Sequence, residues 1–117
     1  MTDFVPTHLF VYGTLRNSRP NAIAATITGT LVSLGAFPAV TLDGDTKIQG
    51  EIFPVDPLGL LNYDRYEGVA HGLYKRELVM ANTDAGPVPA YVYVAGPLLT
   101  HEIAGLDPIQ SGDWFVR

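Results

Sequence analysis

The chain has no cysteine. Disulfides, thiolate metal sites and a cysteine nucleophile are excluded together, and the composition fits a reducing, cytoplasmic compartment. Positive charge is scarce as well: seven Lys and Arg stand against twelve Asp and Glu, the net charge is -5, and the basic residues form no cluster. Nucleic acid would find no electrostatic footprint here, and a membrane surface no polybasic anchor. No apolar run approaches the roughly 18 residues that mark a spanning helix, and the residues after Met1 lack the basic and apolar segments of a secretory signal. His8, His71 and His101 lie far apart without ligand spacing, so no metal is expected. The phosphate loop G-x-x-x-x-G-K-[ST], the dinucleotide fingerprint G-x-G-x-x-G and the nucleophile elbow G-x-S-x-G are all missing.

What is present is a chain of 117 residues, 47% hydrophobic, with 12 Gly and 9 Pro. That length holds one core and one domain, residues 1–117. The glycine and proline content favours short elements joined by tight turns. His8 to Tyr12 reads as a buried central strand ending at Gly13. One helical turn is expected over Asn21 to Ala25. Thr26 to Leu34 is a strand in which Gly29 marks a bulge or a close backbone approach. Ala39 to Leu42 and Ile48 to Val55 are two strands separated by the turn residues Asp43, Gly44 and Asp45. Leu73 to Met80 and Val88 to Val94 are strands around an Asp84-Ala85-Gly86 turn. In the second of these, Val92 and Val94 share one face and Tyr91 and Tyr93 the other. Leu98 to Ala104 fits a helical turn or a strand, and Trp114 and Phe115 are expected to dock on the core. The sum is an α+β domain: a small mixed β-barrel of about six strands, with one short helix covering or plugging an opening.

That helix has the clearest start signal in the chain. Asp56 supplies a capping acceptor and Pro57 fits the first helical position. The helix is predicted from Pro57 to Glu67, with Gly68 as the C-terminal glycine. Leu60, Tyr63, Asp64 and Glu67 then fall at i, i+3, i+4 and i+7 on one face. A carboxylate on the apolar stripe faces protein rather than bulk water. Burial and the negative end of the helix both raise its pKa toward the range useful for proton transfer near neutrality. On spacing alone, the commoner outcome is a solvated helix end or half of an ion pair. Asp64, one turn away, invites a carboxylate-pair reading, against a solvated or helix-bonding one. Tyr74 and Arg76 share a strand face, where they line a cleft or make a cross-strand contact.

Tyr12-Gly13-Thr14-Leu15-Arg16 follows the first strand directly. Gly13 lets the backbone turn sharply or approach a ligand closely, and successive N–H groups of such a turn can converge on an anion. Arg16, Asn17, Ser18 and Arg19 add donors, so the segment can form a carboxylate pocket. An ordinary strand-ending turn with solvated arginines has the same pattern.

Taken together, Tyr12-Gly13-Thr14-Leu15-Arg16, Gly50-Glu51-Ile52-Phe53, Asp64-Arg65-Tyr66-Glu67-Gly68 and Tyr74-Lys75-Arg76 resemble, in order and spacing, the gamma-glutamylcyclotransferase family. The likeness is to its small AIG2-like branch, which includes gamma-glutamylamine cyclotransferases. Leu34-Gly35, Pro38-Ala39 and the closing Ser111-Gly112-Asp113-Trp114 add to it, so the match runs from about His8 to Trp114. The resemblance implies a small mixed barrel with the YGTL-type loop at one mouth. It implies cleavage of a gamma-glutamyl amine or amide without water: the substrate's α-amine attacks its own side-chain carbonyl, releasing 5-oxoproline and a free amine. Glu67 maps onto the family's proton-transfer residue. Tyr12, Gly13, Thr14 and Leu15 map onto the loop that binds the gamma-glutamyl group, with Arg16 and Tyr74 as further substrate contacts. No cofactor and no metal is implied, and the partner is a small gamma-glutamyl molecule. A different class of function fits the same residues, a non-catalytic module that keeps the barrel and recognises a small carboxylate ligand or a protein.

Overall fold

The computed structural model describes residues 7–13, 15–16 and 19–117. Five strands and two helices follow one another: β1 (Thr7–Val11), β2 (Ile23–Ser33), β3 (Pro38–Val55), α1 (Pro57–Tyr66), β4 (Tyr74–Thr83), β5 (Gly86–Ala95) and α2 (Pro97–Ile103), with a single 3-10 turn at Val69–His71 after α1. The strands pair in the closed order β1-β3-β2-β4-β5. All ladders are antiparallel except β1 with β5, where Leu9 lies beside Tyr91 and Phe10 beside Val92. The thinnest join is between β2 and β4, which meet through Thr26 and Asn82.

Alternation along the strands divides the buried residues into two groups. Phe10, Ile27, Leu31, Val40, Ile48, Ile52, Ala81 and Val92 come from all five strands and fill the interior. Leu9, Val11, Phe53, Tyr74 and Tyr93 point the other way. There they are covered by Leu60 of α1 and Leu99 of α2, so the helices lie on the flank of the sheet rather than plugging its opening. Full burial of a side chain such as Phe10 or Leu31 stabilises by about 1.5–3 kcal/mol. The sorting of Val92 and Val94 against Tyr91 and Tyr93 is the one that alternation predicts.

Several expectations are corrected. The strands number five among the described residues, not about six, because the two expected over residues 39–55 are one. The Asp43-Gly44-Asp45 signal is nonetheless physical. The register steps from Gly29 opposite Thr46 to Thr30 opposite Thr41, so residues 42–45 drop out of the ladder as a bulge. Gly44 has φ 103° there, and the Thr30 hydroxyl donates to the Asp43 carbonyl at 2.7 Å. The step falls at Gly29, where a bulge was expected. Ile23 to Ala25 belong to β2 and not to a helical turn, since their ladder with β3 extends to Ile52. A second helix, α2, occupies most of Leu98 to Ala104, started by Pro97. Trp114 docks as expected, but Phe115 is 53% exposed. Among the described residues, no helix is long and apolar enough to cross a membrane.

Candidate active site

The local signals of α1 operate as written. The Asp56 carboxylate accepts from the Gly59 N–H at 2.6 Å, and Pro57 takes the first turn. The helix ends at Tyr66, and Glu67 is its cap, donating its N–H to the Tyr63 carbonyl at 2.8 Å. Gly68 then adopts φ 66°, a left-handed conformation that reverses the chain. Its carbonyl accepts from the N–H groups of His71 and Leu73, and the chain enters β4. The last turn of α1 is fixed to that strand from the side. Arg76 holds the Asp64 carboxylate through bonds of 2.9 and 3.2 Å, and the Tyr93 hydroxyl donates to Asp64 at 2.6 Å. Asp64 is therefore a structural anchor and not the second half of a carboxylate pair. Arg76 also lies 4.9 Å from the centre of the Tyr91 ring.

These constraints turn Glu67 into a cavity of about 380 Å³. The same cavity is lined by Tyr12, Gly13 and Leu15 from the segment after β1, by Tyr74 and Tyr93, and by apolar side chains including Phe10, Phe37, Leu73 and Leu99. Three phenols surround the acid electrostatically, and each gives its proton to another group. Tyr12 donates to the Tyr93 carbonyl at 2.5 Å, Tyr74 to the Pro38 carbonyl at 2.7 Å, and Tyr93 to Asp64. Burial raises the pKa of all three, and the Glu67 charge adds to it. They stay neutral in the working range of pH. Among the described residues the Glu67 carboxyl makes no hydrogen bond or ion pair. Burial without compensation pushes its pKa up to about 7. A half-buried acid poised there can accept and return a proton near neutrality.

Gly13 meets a packing demand rather than a positive φ. A Cβ there would lie 2.9 Å from Cγ of Pro38, which lines the same cavity. The segment is also pulled toward the C-terminal end of the chain. Arg16 donates to the Asp113 carboxylate at 2.7 Å, and its guanidinium sits 4.4 Å from the Phe115 ring centre. Arg16, expected as a substrate contact, is absent from the described cavity lining, and its guanidinium is paired with Asp113. Thr14 lies outside the described residues. Tyr93, Phe37, Pro38, Leu73 and Leu99 line the cavity without having been singled out in the sequence. For Tyr93 the signal existed, since alternation on β5 places it on the face that α1 covers. Among the described residues, no group of three or more His, Asp or Glu side chains could hold a metal ion.

The profile of the family described as "Gamma-glutamyl cyclotransferase, AIG2-like" matches residues 9–116. The chain belongs to this family. No curated protein sequence matches it. Solved structures do. An AIG2-like protein from Mus musculus is 24% identical, with 92% of this chain and 88% of that one covered and a TM-score of 0.71. Protein ytfP from Escherichia coli is 30% identical over 92% of this chain and 96% of that one, with a TM-score of 0.66. YkqA from Bacillus subtilis is 27% identical with a TM-score of 0.72, and the match covers 94% of this chain but 40% of that protein. Membership in the AIG2-like family supports a cyclotransferase activity.

Proposed function

We propose that this AIG2-like protein cleaves a gamma-glutamyl amide by internal cyclisation, with Glu67 as the group that moves the proton. The observation that carries the reading is the unpartnered, half-buried Glu67 carboxyl facing the cavity that Gly13 and Leu15 also line. The substrate's α-amine attacks in its neutral form. As its nitrogen adds to the side-chain carbonyl carbon it becomes cationic, and the Glu67 carboxylate takes one of its two protons. The protonated Glu67 then gives that proton to the departing nitrogen as the amide bond breaks. The ring nitrogen keeps one hydrogen, and the products are 5-oxoproline and a free amine. Attack within one molecule requires little beyond a fixed conformation, so a closely lined cavity supplies much of the acceleration. The Gly13 segment borders the same cavity, and its main-chain N–H groups are the donors we assign to the glutamyl carboxylate or the developing oxyanion. The three tyrosines, held neutral by burial, place no competing charge beside the acid.

The test is formation of 5-oxoproline from a panel of gamma-glutamyl amines and peptides. Product from the wild type and none from Glu67→Gln supports the reading. A stable protein partner with no turnover of any panel member favours the non-catalytic module instead. A second variant probes the other wall. In Gly13→Val the new side chain meets Pro38, and displacing the loop by around 1 Å is expected to lower kcat/KM on the order of 10²-fold. The same overpacking costs only about 1–3 kcal/mol of stability. Steady-state kinetics and denaturant unfolding measure both, and unchanged kinetics would remove this loop from the site.

A further inference from the structure

After α2 the chain forms no further helix or strand, yet residues 109–113 are fastened to the barrel as a strap. The Ile109 N–H donates to the Leu31 carbonyl of β2 at 2.7 Å, and the Gly112 carbonyl accepts from the Gln49 N–H of β3 at 2.8 Å. Gly112 has φ 68°, and a Cβ there would collide with the Lys47 carbonyl, so only glycine lets the strap lie this close to β3. Asp113, the next residue, is set by local bonds. Its N–H donates to the Ser111 hydroxyl at 3.1 Å, and its carboxylate accepts from the Phe115 N–H at 2.9 Å. Trp114 beside it is buried. Asp113 is thus held by contacts that owe nothing to the side chain it meets.

That side chain is Arg16, at the end of the Gly13 segment. The Arg16 N–H donates to the Gly13 carbonyl at 3.0 Å, which draws the two ends of the segment together. Its guanidinium meets the Asp113 carboxylate at 2.7 Å, and both side chains are mostly shielded. Among the described residues the Arg16 Nε is buried without a hydrogen-bond partner, so opening the pair would strand a poorly solvated cation. At the other end, Gly13 is backed by the Pro38 ring. The cavity-lining residues Gly13 and Leu15 are therefore gripped from both ends, by a proline and by an ion pair to the strap. We infer that Asp113 is a positioning residue, which acts through Arg16 to hold the Gly13 segment against the cavity that Glu67 faces. Its kinetic consequence rests on the cyclisation proposed above.

Amide exchange followed by NMR tests the clamp without reference to activity. In Asp113→Ala the Arg16 N–H should exchange about tenfold faster. The N–H groups of Gln49 and Glu67, which report the strap and the end of α1, should keep their rates. An unchanged Arg16 rate overturns the inference. So does equal acceleration at Gln49, which would mean that Asp113 holds the strap and not the segment. Kinetics on the panel member that the wild type turns over fastest test the consequence. Asp113→Ala should lower kcat/KM about tenfold, as a modest misplacement of the segment costs, and Asp113→Asn, which keeps an acceptor for Arg16, should recover most of it. The acid limb near pH 7 should stay in place, because Glu67 is aimed from α1. Arg16→Met combined with Asp113→Ala should lose no more than either change alone. Additive losses, a shifted limb, or a lower melting temperature with unchanged kcat/KM each overturn the positioning role. So does a loss in Arg16→Met that Asp113→Ala does not share, which would place Arg16 on the substrate itself. If the wild type turns over no panel member, the cyclisation falls and the exchange rates alone decide the clamp.

Discussion

Glu67→Gln is expected to lower turnover by about 10²–10⁴-fold, the range for loss of a general acid–base group, while making the protein more stable above neutral pH. Both effects come from one cause. Burial holds the folded-state pKa of Glu67 at about 7, against an ordinary value of 4.5. Below pH 4.5 the group is protonated in the folded and the unfolded chain alike, and its burial carries no ionic penalty. Between pH 4.5 and about 7 the unfolded chain releases a proton that the folded chain retains, so stability falls as pH rises through this window. Above it the penalty is constant, at most about 3 kcal/mol and less to the extent that water reaches the carboxyl. Gln does not ionise and escapes it. Calorimetry at pH 5 and pH 8 should show the variant's melting temperature exceeding the wild type's by a margin that grows with pH. A margin equal at both values would mean that Glu67 titrates normally. The wild-type profile of kcat/KM should have its acid limb near pH 7, where the free enzyme gains the carboxylate that accepts the proton.

The parts of the site legible in the sequence are those fixed by nearby residues. Asp56-Pro57 starts α1 because a cap and a proline act within one turn. Gly68 ends it because the chain needs a left-handed residue there. With both ends set, helical spacing alone puts Glu67 on the stripe of Leu60 and Tyr63. What spacing leaves undecided is whether that stripe meets water, a counter-charge or a cavity. The answer depends on Tyr12, Tyr74 and Tyr93, brought in by the segment after β1, by β4 and by β5. Arg16 illustrates the same limit from the other side. It looked available for substrate, but its partner Asp113 lies 97 positions away, and only the closed chain brings them together. The bulge in β3 is a third case. Asp43-Gly44-Asp45 is genuine turn chemistry, but the ladder with β2 resumes at Thr41 and Thr46, so tertiary pairing absorbs the turn into a longer strand.

Asp64→Ala is the second substitution with a large expected effect, and it tests how Glu67 is aimed. Asp64 neutralises Arg76 of β4 and accepts from Tyr93 of β5, so it ties the last turn of α1 to two strands at once. Both charged side chains are mostly shielded, at 19% and 29% exposure. Removing the carboxylate leaves a guanidinium and a phenol with lost partners, for which about 2–4 kcal/mol is expected. In a domain of this size each kcal/mol lowers the melting temperature by roughly 3–5 °C, so a drop near 10 °C should be seen. Asp64→Leu with Arg76→Met removes both charges and should recover much of that stability, because no unpaired ion remains. A purely structural tie would leave the chemistry of the folded fraction unchanged. A positioning role makes a further demand. Glu67 lies one turn beyond Asp64, so freeing the end of α1 lets its carboxyl reach water, and burial no longer raises its pKa. The acid limb of kcat/KM in Asp64→Ala should then move from near pH 7 toward the ordinary carboxylate range, with kcat reduced. A limb that stays in place while the melting temperature falls would show that the Asp64–Arg76 pair holds the fold together without aiming the acid.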